Sequence, residues 1–241
     1  MNFFNKIKSK LISQPETEVF LPKDFNKRFK DIYEKTKAYT MTSPERMYSL
    51  YQAIIYIIQN KIEGDIVECG VWKGGSSMIS ALTLLKLKSC DKKIYLYDTF
   101  SGMTKPSGKD RPDTMDKWLD NNGKQFNKWC YASLDEVQGN MSKTNYPKDK
   151  IIFVRGDVEH TIPQNIPEKI SILRLDTDWY KSTYHELKYL YPRLSSGGVL
   201  IIDDYGHHEG AKKAVDEYFA EIGEYPYLSR IDPTCRIILK R

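Results

Sequence analysis

The chain has 241 residues, 40% of them hydrophobic and 29% charged, with a formal net charge of +5 spread over lysines along its whole length. That length suits one sizeable α/β domain with decoration and is enough to bury a core. Three features exclude classes of function. The basic residues form no block for nucleic acid. No apolar run approaches the roughly 20 residues needed to span a bilayer. The cysteines Cys69, Cys90, Cys130 and Cys235 lack the CxxC spacing of a zinc site or a disulfide framework.

The first residues, MNFFNKIKSKLISQPETEVF, carry a basic start and a broken apolar segment with no small-residue cleavage pattern, so a cytoplasmic protein is expected. Met1–Phe20 is taken as a loosely attached arm. From Asp24 to Ala38, Phe25, Phe29, Ile32 and Tyr33 share one face of a helix. That face has to cover something, and a homodimer partner is one candidate. Residues 1–42 are thus set apart as arm and helix from a main domain over residues 43–241. In MTSPERMYSLYQAIIYIIQNKI, Ser43 caps a helix, Pro44 takes its first position, and the helix runs to about Asn60 on an apolar stripe suited to core packing.

GDIVECGVWKGGSSMISALTLLKL begins the nucleotide-binding unit: a strand ending at Glu68, a turn with Gly70, Gly74 and Gly75, and a helix opening near Ser76. Such a turn admits backbone close to a ligand, and the helix start offers free N–H groups to an anion. The spacing is not GxGxxG, which removes an NAD fingerprint. KKIYLYDTF is a second strand ending at Asp98, where such folds place an acid for ribose hydroxyls. Residues 101–131, polar and rich in Gly, Pro, Asn and Asp, carry Trp118, Phe126, Trp129 and Tyr131 and are expected to form a lid over a substrate. Ser133 and Glu136 form a capping box for the next helix. KIIFVRGDV is a third strand ending at Asp157.

ISILRLDTDWY is the fourth strand, YKSTYHELKYLYPRL a crossover helix, and GGVLIIDDYG the fifth strand. Asp176/Asp178 and Asp203/Asp204 therefore stand at two strand ends, where an open parallel sheet forms its ligand crevice. Several carboxylates in one crevice repel one another unless a cation intervenes, and oxygen ligands point to Mg²⁺ or another hard divalent ion. A last helix over GHHEGAKKAVDEYFAEIG precedes two strands, PYLSRID and TCRIILKR, forming an edge hairpin through Asp232–Thr234. The alternation defines a doubly wound sheet.

The segments ECGVWKGGS, YDTFSGM, RGD, LDTDWYKSTYHELKYLYPRLSSGGVLIIDDYGH and GAKKAVDEYF, in this order, resemble the macrocin O-methyltransferase family, as does MTSPERMY ahead of the first strand. The match runs from about Thr40 to Phe219 and is weak in the arm and the lid. It implies a class I methyltransferase (Rossmann-like) fold with a seven-stranded sheet and a reversed last strand, acting on sugars with S-adenosylmethionine and a divalent metal. By position, Glu68, Gly70, Val71, Gly74 and Ser76 resemble the turn holding the methionine part of that cofactor. Asp98 resembles its ribose ligand, and Asp157 lies near its adenine edge. Asp176, Asp203 and Asp204 match metal ligands, and Asp178 the general base. His208 departs from the family, which often has an aromatic there.

Methyl transfer to an alcohol needs a proton acceptor, a role for Asp178. His207 is a second base candidate or, equally, a cap for the next helix. Trp179 is expected to wall the pocket. Two other readings remain open at this level: a catechol-type O-methyltransferase, and a glycosyltransferase using Asp176-Thr177-Asp178 as a DxD motif. The expected partner is a small sugar, nucleotide-sugar or glycoside, with no nucleic acid and no membrane.

Overall fold

The structure, a computed structural model, describes residues 21–241; the arm over Met1–Phe20 lies outside the described residues. Seven strands form one sheet: β1 (Asp65–Cys69), β2 (Ile94–Asp98), β3 (Ile151–Arg155), β4 (Ile170–Leu175), β5 (Leu194–Ile202), β6 (Ser229–Arg230) and β7 (Arg236–Leu239). Their order is β3-β2-β1-β4-β5-β7-β6. The first five strands are parallel and β7 runs antiparallel to both neighbours. The reversed last strand and the hairpin turn around Asp232–Thr234 are as the sequence predicts.

Alternation along the strands sorts the core into two layers. Ile66, Ile94, Leu96, Ile172, Val199 and Ile201 face one side, under α1 (Lys27–Thr36), α2 (Pro44–Gln59) and α3 (Gly75–Lys86). Val67, Tyr97, Leu173, Leu175, Leu200 and Ile202 face the other, under α7 (Tyr180–Leu190) and α8 (Glu209–Glu221). The amphipathic face of α1 is satisfied within the chain: Phe29 stands edge-on to Tyr48 of α2 at 4.9 Å, and Phe29 and Ile32 are buried. It therefore provides no argument for a subunit partner. Among the described residues no helix is long and apolar enough to cross a membrane.

The stretch expected to form a lid is more regular than its composition implies. It contains α4 (Pro112–Asp120), with Pro112 at the first helical position, and is tied to the domain by Asp110, whose carboxylate accepts from Tyr180 N at 2.8 Å. Within it, Trp118 Nε1 donates to Met103 O at 2.9 Å and Asn127 N to Ser101 O at 2.8 Å. Next come α5 (Leu134–Ser142), capped by Ser133 as predicted, and the short α6 (Val158–Thr161).

Candidate active site

Strand register assembles the site. Glu68 of β1 lies opposite Arg174 of β4, and Arg174 opposite Ile201 of β5. Two residues on, Asp176 N donates to Cys69 O at 2.8 Å and Asp203 N to Leu175 O at 2.9 Å, so Gly70, Asp176 and Asp203 stand side by side at the strand ends. Gly70 has φ +82°, and a Cβ there would lie 1.9 Å from Asp176 O, so only glycine permits this approach. Because alternation is strict, Glu68, Arg174 and Asp203 all project toward the α2/α3 layer.

The crevice above these ends has a volume near 320 Å³. Of the residues singled out from the sequence, Glu68, Gly70, Val71, Ser76, Asp98, Asp157, Asp176, Asp178, Asp203, Asp204 and His207 line it. Gly74 does not; at φ +89° it begins α3 behind the wall, against Val137. Asp98 is engaged by the chain itself: its carboxylate accepts from Val71 N at 2.7 Å, Trp72 N at 3.1 Å and Phe100 N at 2.7 Å. Asp157 caps α6 through Glu159 N at 2.9 Å. Both therefore fix the crevice walls as well as facing it.

Asp176, Asp203 and Asp204 each offer an oxygen within 4.8 Å of the others. The donor set is all oxygen and fits a hard divalent cation. A second set, Asp178, Asp204 and His208, meets the same distance limit and shares Asp204. Burial, reinforced by Asp203 and Asp204 and opposed by Arg174, pushes the Asp176 carboxyl well up. Burial and the neighbouring Asp204 push Asp178 well up too, while Asp204 is held down against its own burial by the adjoining Asp178 and Asp176 carboxyls.

Two arginines of the chain itself pair with these acids. Arg174, 4% exposed, reaches Glu68 Oε1 at 2.8 Å, Asp176 Oδ2 at 2.7 Å and Asp203 Oδ1 at 2.6 Å. Arg46, in the first turn of α2, bonds Asp203 Oδ2 and Thr234 Oγ1 and reaches Asp232 Oδ2 at 2.6 Å. Charge repulsion by itself therefore did not require a metal, because two guanidinium groups already intervene. A charged residue inside the otherwise apolar run ISILRL was a sign of a buried partner at Arg174. Arg46 carried only the faint sign of a cation at the positive end of a helix.

Asp178 has φ 67°, a left-handed conformation that costs about 1–3 kcal/mol for a non-glycine residue; Trp72 and Cys130, also in the crevice wall, share it at φ 47° and 52°. The intervening Thr177 is held by the buried Glu186, its hydroxyl 2.9 Å from Oε1. His208 Nε2 lies 3.7 Å from Asp178 Oδ2, whereas His207 is exposed at the rim with its ring edge-on to His208 at 4.6 Å. The histidine nearer to Asp178 is thus His208, not His207. Trp179 does not wall the pocket: it is 2% exposed, and its indole donates to Thr104 O at 2.9 Å, anchoring the lid. Of the lid aromatics, Trp129 lines the crevice, with Lys117 Nζ 3.8 Å from its centroid, while Phe126 stacks on Tyr131 away from it.

A parallel sheet with a reversed strand and an acid-lined crevice at its carboxyl ends defines a class I O-methyltransferase fold. The solved O-methyltransferase NovP matches with a TM-score of 0.77 and 29% identity, over 84% of this chain and 82% of that one. The calicheamicin methyltransferase CalS11 shares the fold at 15% identity, with a TM-score of 0.61 over 88% and 91% of the two chains. The model of the macrocin-O-methyltransferase (TylF) family matches residues 3–240. The chain belongs to this family. The mycinamicin III 3''-O-methyltransferase of Micromonospora griseorubida is 34% identical, covering 76% of this chain and 71% of its own length. The 8-demethyl-8-(2,3-dimethoxy-alpha-L-rhamnosyl)-tetracenomycin-C 4'-O-methyltransferase of Streptomyces olivaceus is 30% identical, covering 82% and 74%.

Proposed function

We propose that the protein transfers the methyl group of S-adenosylmethionine to a hydroxyl of a sugar, carried on a nucleotide, a glycan or a glycosylated small molecule, with a divalent cation at Asp176, Asp203 and Asp204. The observation that carries this reading is the strand register that sets those three carboxylates beside the Gly70 turn. The names of the related enzymes, several of which act on sugar-bearing products, support the substrate class.

S-adenosylmethionine supplies an activated methyl group, and a divalent cation supplies Lewis-acid stabilisation for developing charge on the acceptor oxygen. The chain's own residues do the rest. Glu68, Gly70, Val71 and Ser76, which line the crevice at the start of α3, would hold the donor's amino-acid end, and Asp98 and Asp157 would border its nucleoside end. Asp178 accepts the hydroxyl proton as the C–O bond forms and the S–CH₃ bond breaks, its electron pair passing to sulfur. A carboxylate placed beside the acceptor is a competent general base for such a transfer. The lid excludes water and fixes the acceptor, so orientation supplies much of the rate. Asp98 and the turn at Gly70 favour this donor over a nucleotide-sugar diphosphate held by a DxD motif.

Calorimetry with S-adenosylhomocysteine and with nucleotide-sugar diphosphates tests the donor. Binding of the former at micromolar levels is expected; binding of the latter alone would overturn the reading. Turnover on glycosides but not catechols is expected of the acceptor site, and the reverse would make the enzyme catechol-type.

A further inference from the structure

The carboxylate of Asp203 is gripped from two sides. Arg174 Nη2 takes Oδ1 at 2.6 Å and Arg46 Nη1 takes Oδ2, with the Asp203 side chain only 4% exposed. Each oxygen keeps one lone pair, and neither torsion of the side chain is free. The two arginines differ in what stands behind them. Arg174 belongs to β4 and moves with the sheet. Arg46 is itself anchored outside the crevice: its Nε bonds Asp232 Oδ2 at 2.6 Å and its Nη2 bonds Thr234 Oγ1. Asp232 is fixed in turn by Thr234 N at 2.9 Å, Cys235 N at 2.8 Å and Ser43 Oγ at 3.0 Å. A chain of bonds therefore runs from the turn before β7, through the first turn of α2, to the end of β5.

We propose that Arg46 is a positioning residue for the cation site, aiming Asp203 at Asp176 and Asp204, and that Asp232 is the outer anchor on which this aim depends. The inference rests on the metal reading above. It has a definite sign. If Arg46 acted only as a charge, its removal would strengthen binding of a divalent cation, because a positive neighbour disappears. As a positioning group its removal weakens binding, since groups that orient ligands typically contribute about 10–100-fold in metal affinity. Lysine cannot substitute, because three planar donors serve three separate acceptors.

The test is Mn²⁺ binding, by calorimetry and by the loss of the free-ion paramagnetic signal, to protein saturated with S-adenosylhomocysteine. The expected result is a Kd raised about 10–100-fold in Arg46→Met, a similar loss in Arg46→Lys, and a smaller loss in Asp232→Asn. The S-adenosylhomocysteine affinity of Asp232→Asn should stay close to wild type. Asp232→Asn keeps every cation in place and so reports on positioning even where Arg46→Met folds poorly. Equal or tighter Mn²⁺ binding in Arg46→Met, or an unchanged Kd in Asp232→Asn, overturns the proposal. Wild-type protein that takes up no Mn²⁺ overturns the metal reading itself, and this inference with it.

Discussion

Replacing Arg174 by methionine removes the one side chain that touches Glu68, Asp176 and Asp203 together, at 2.8, 2.7 and 2.6 Å. Methionine fills most of the volume, so packing is largely kept and the loss is electrostatic. Breaking a buried ion pair from one side costs about 3–5 kcal/mol, because a charge is left without its partner. For a domain of this size that lowers Tm by about 6–20 °C. The pH dependence has a fixed direction. Burial raises the Glu68 carboxyl, and Arg174 and Ser77 hold that rise back. Without Arg174 it titrates still further above its unfolded value, so the folded state binds more protons than the unfolded one. Its contribution is then present at low pH and is lost as pH rises through the folded value. Thermal melts of chelator-treated protein at two pH values, one near the ordinary carboxylate range and one well above it, should therefore show the larger deficit at the higher pH, partly recovered by adding Glu68→Gln. A variant that melts within about 2 °C of wild type at both pH values would refute the claim that Arg174 neutralises this cluster.

Other predictions follow from the same geometry. Asp176→Asn and Asp203→Asn should each weaken Mn²⁺ binding and remove most turnover while circular dichroism stays native. Asp178→Asn should retain cofactor and metal binding and slow transfer by about 10²–10⁴-fold, the usual contribution of a positioned base; loss of metal binding instead would make Asp178 a ligand. Gly70→Ala should lower both Tm and S-adenosylhomocysteine affinity, because its Cβ would meet Asp176 O at 1.9 Å and its φ of +82° disfavours a side chain.

The sheet was legible because its strands are short apolar runs that stop at acids, and parallel topology brings strand ends together wherever they lie in sequence. That logic placed Glu68, Asp98, Asp157, Asp176 and Asp203 around one crevice. Side chains that act across elements were less visible. Arg46 is separated from Asp203 by 157 positions and from Asp232 by 186, and no local pattern announces such a pairing. Asp98 faces the crevice as expected, yet its bonds to Val71, Trp72 and Phe100 backbone depend on how two loops meet. In the lid, α4 is nine residues long among Gly, Pro and Asp, too short for periodicity to outweigh turn composition. Trp179 looked like pocket wall because it adjoins Asp178, but the left-handed turn at Asp178 sends the chain away and buries the indole under the lid.

The central claim is a metal-assisted methyl transfer to a sugar hydroxyl, and its most direct test is a labelled-methyl assay. Protein, S-adenosylmethionine labelled in the methyl group and a panel of deoxysugar glycosides and nucleotide-sugars would be incubated with Mg²⁺ or with a chelator. Label is expected in a sugar methyl ether, lost with the chelator and restored by added Mg²⁺. Transfer that the chelator leaves untouched, or label that enters catechols and no sugar, would contradict it.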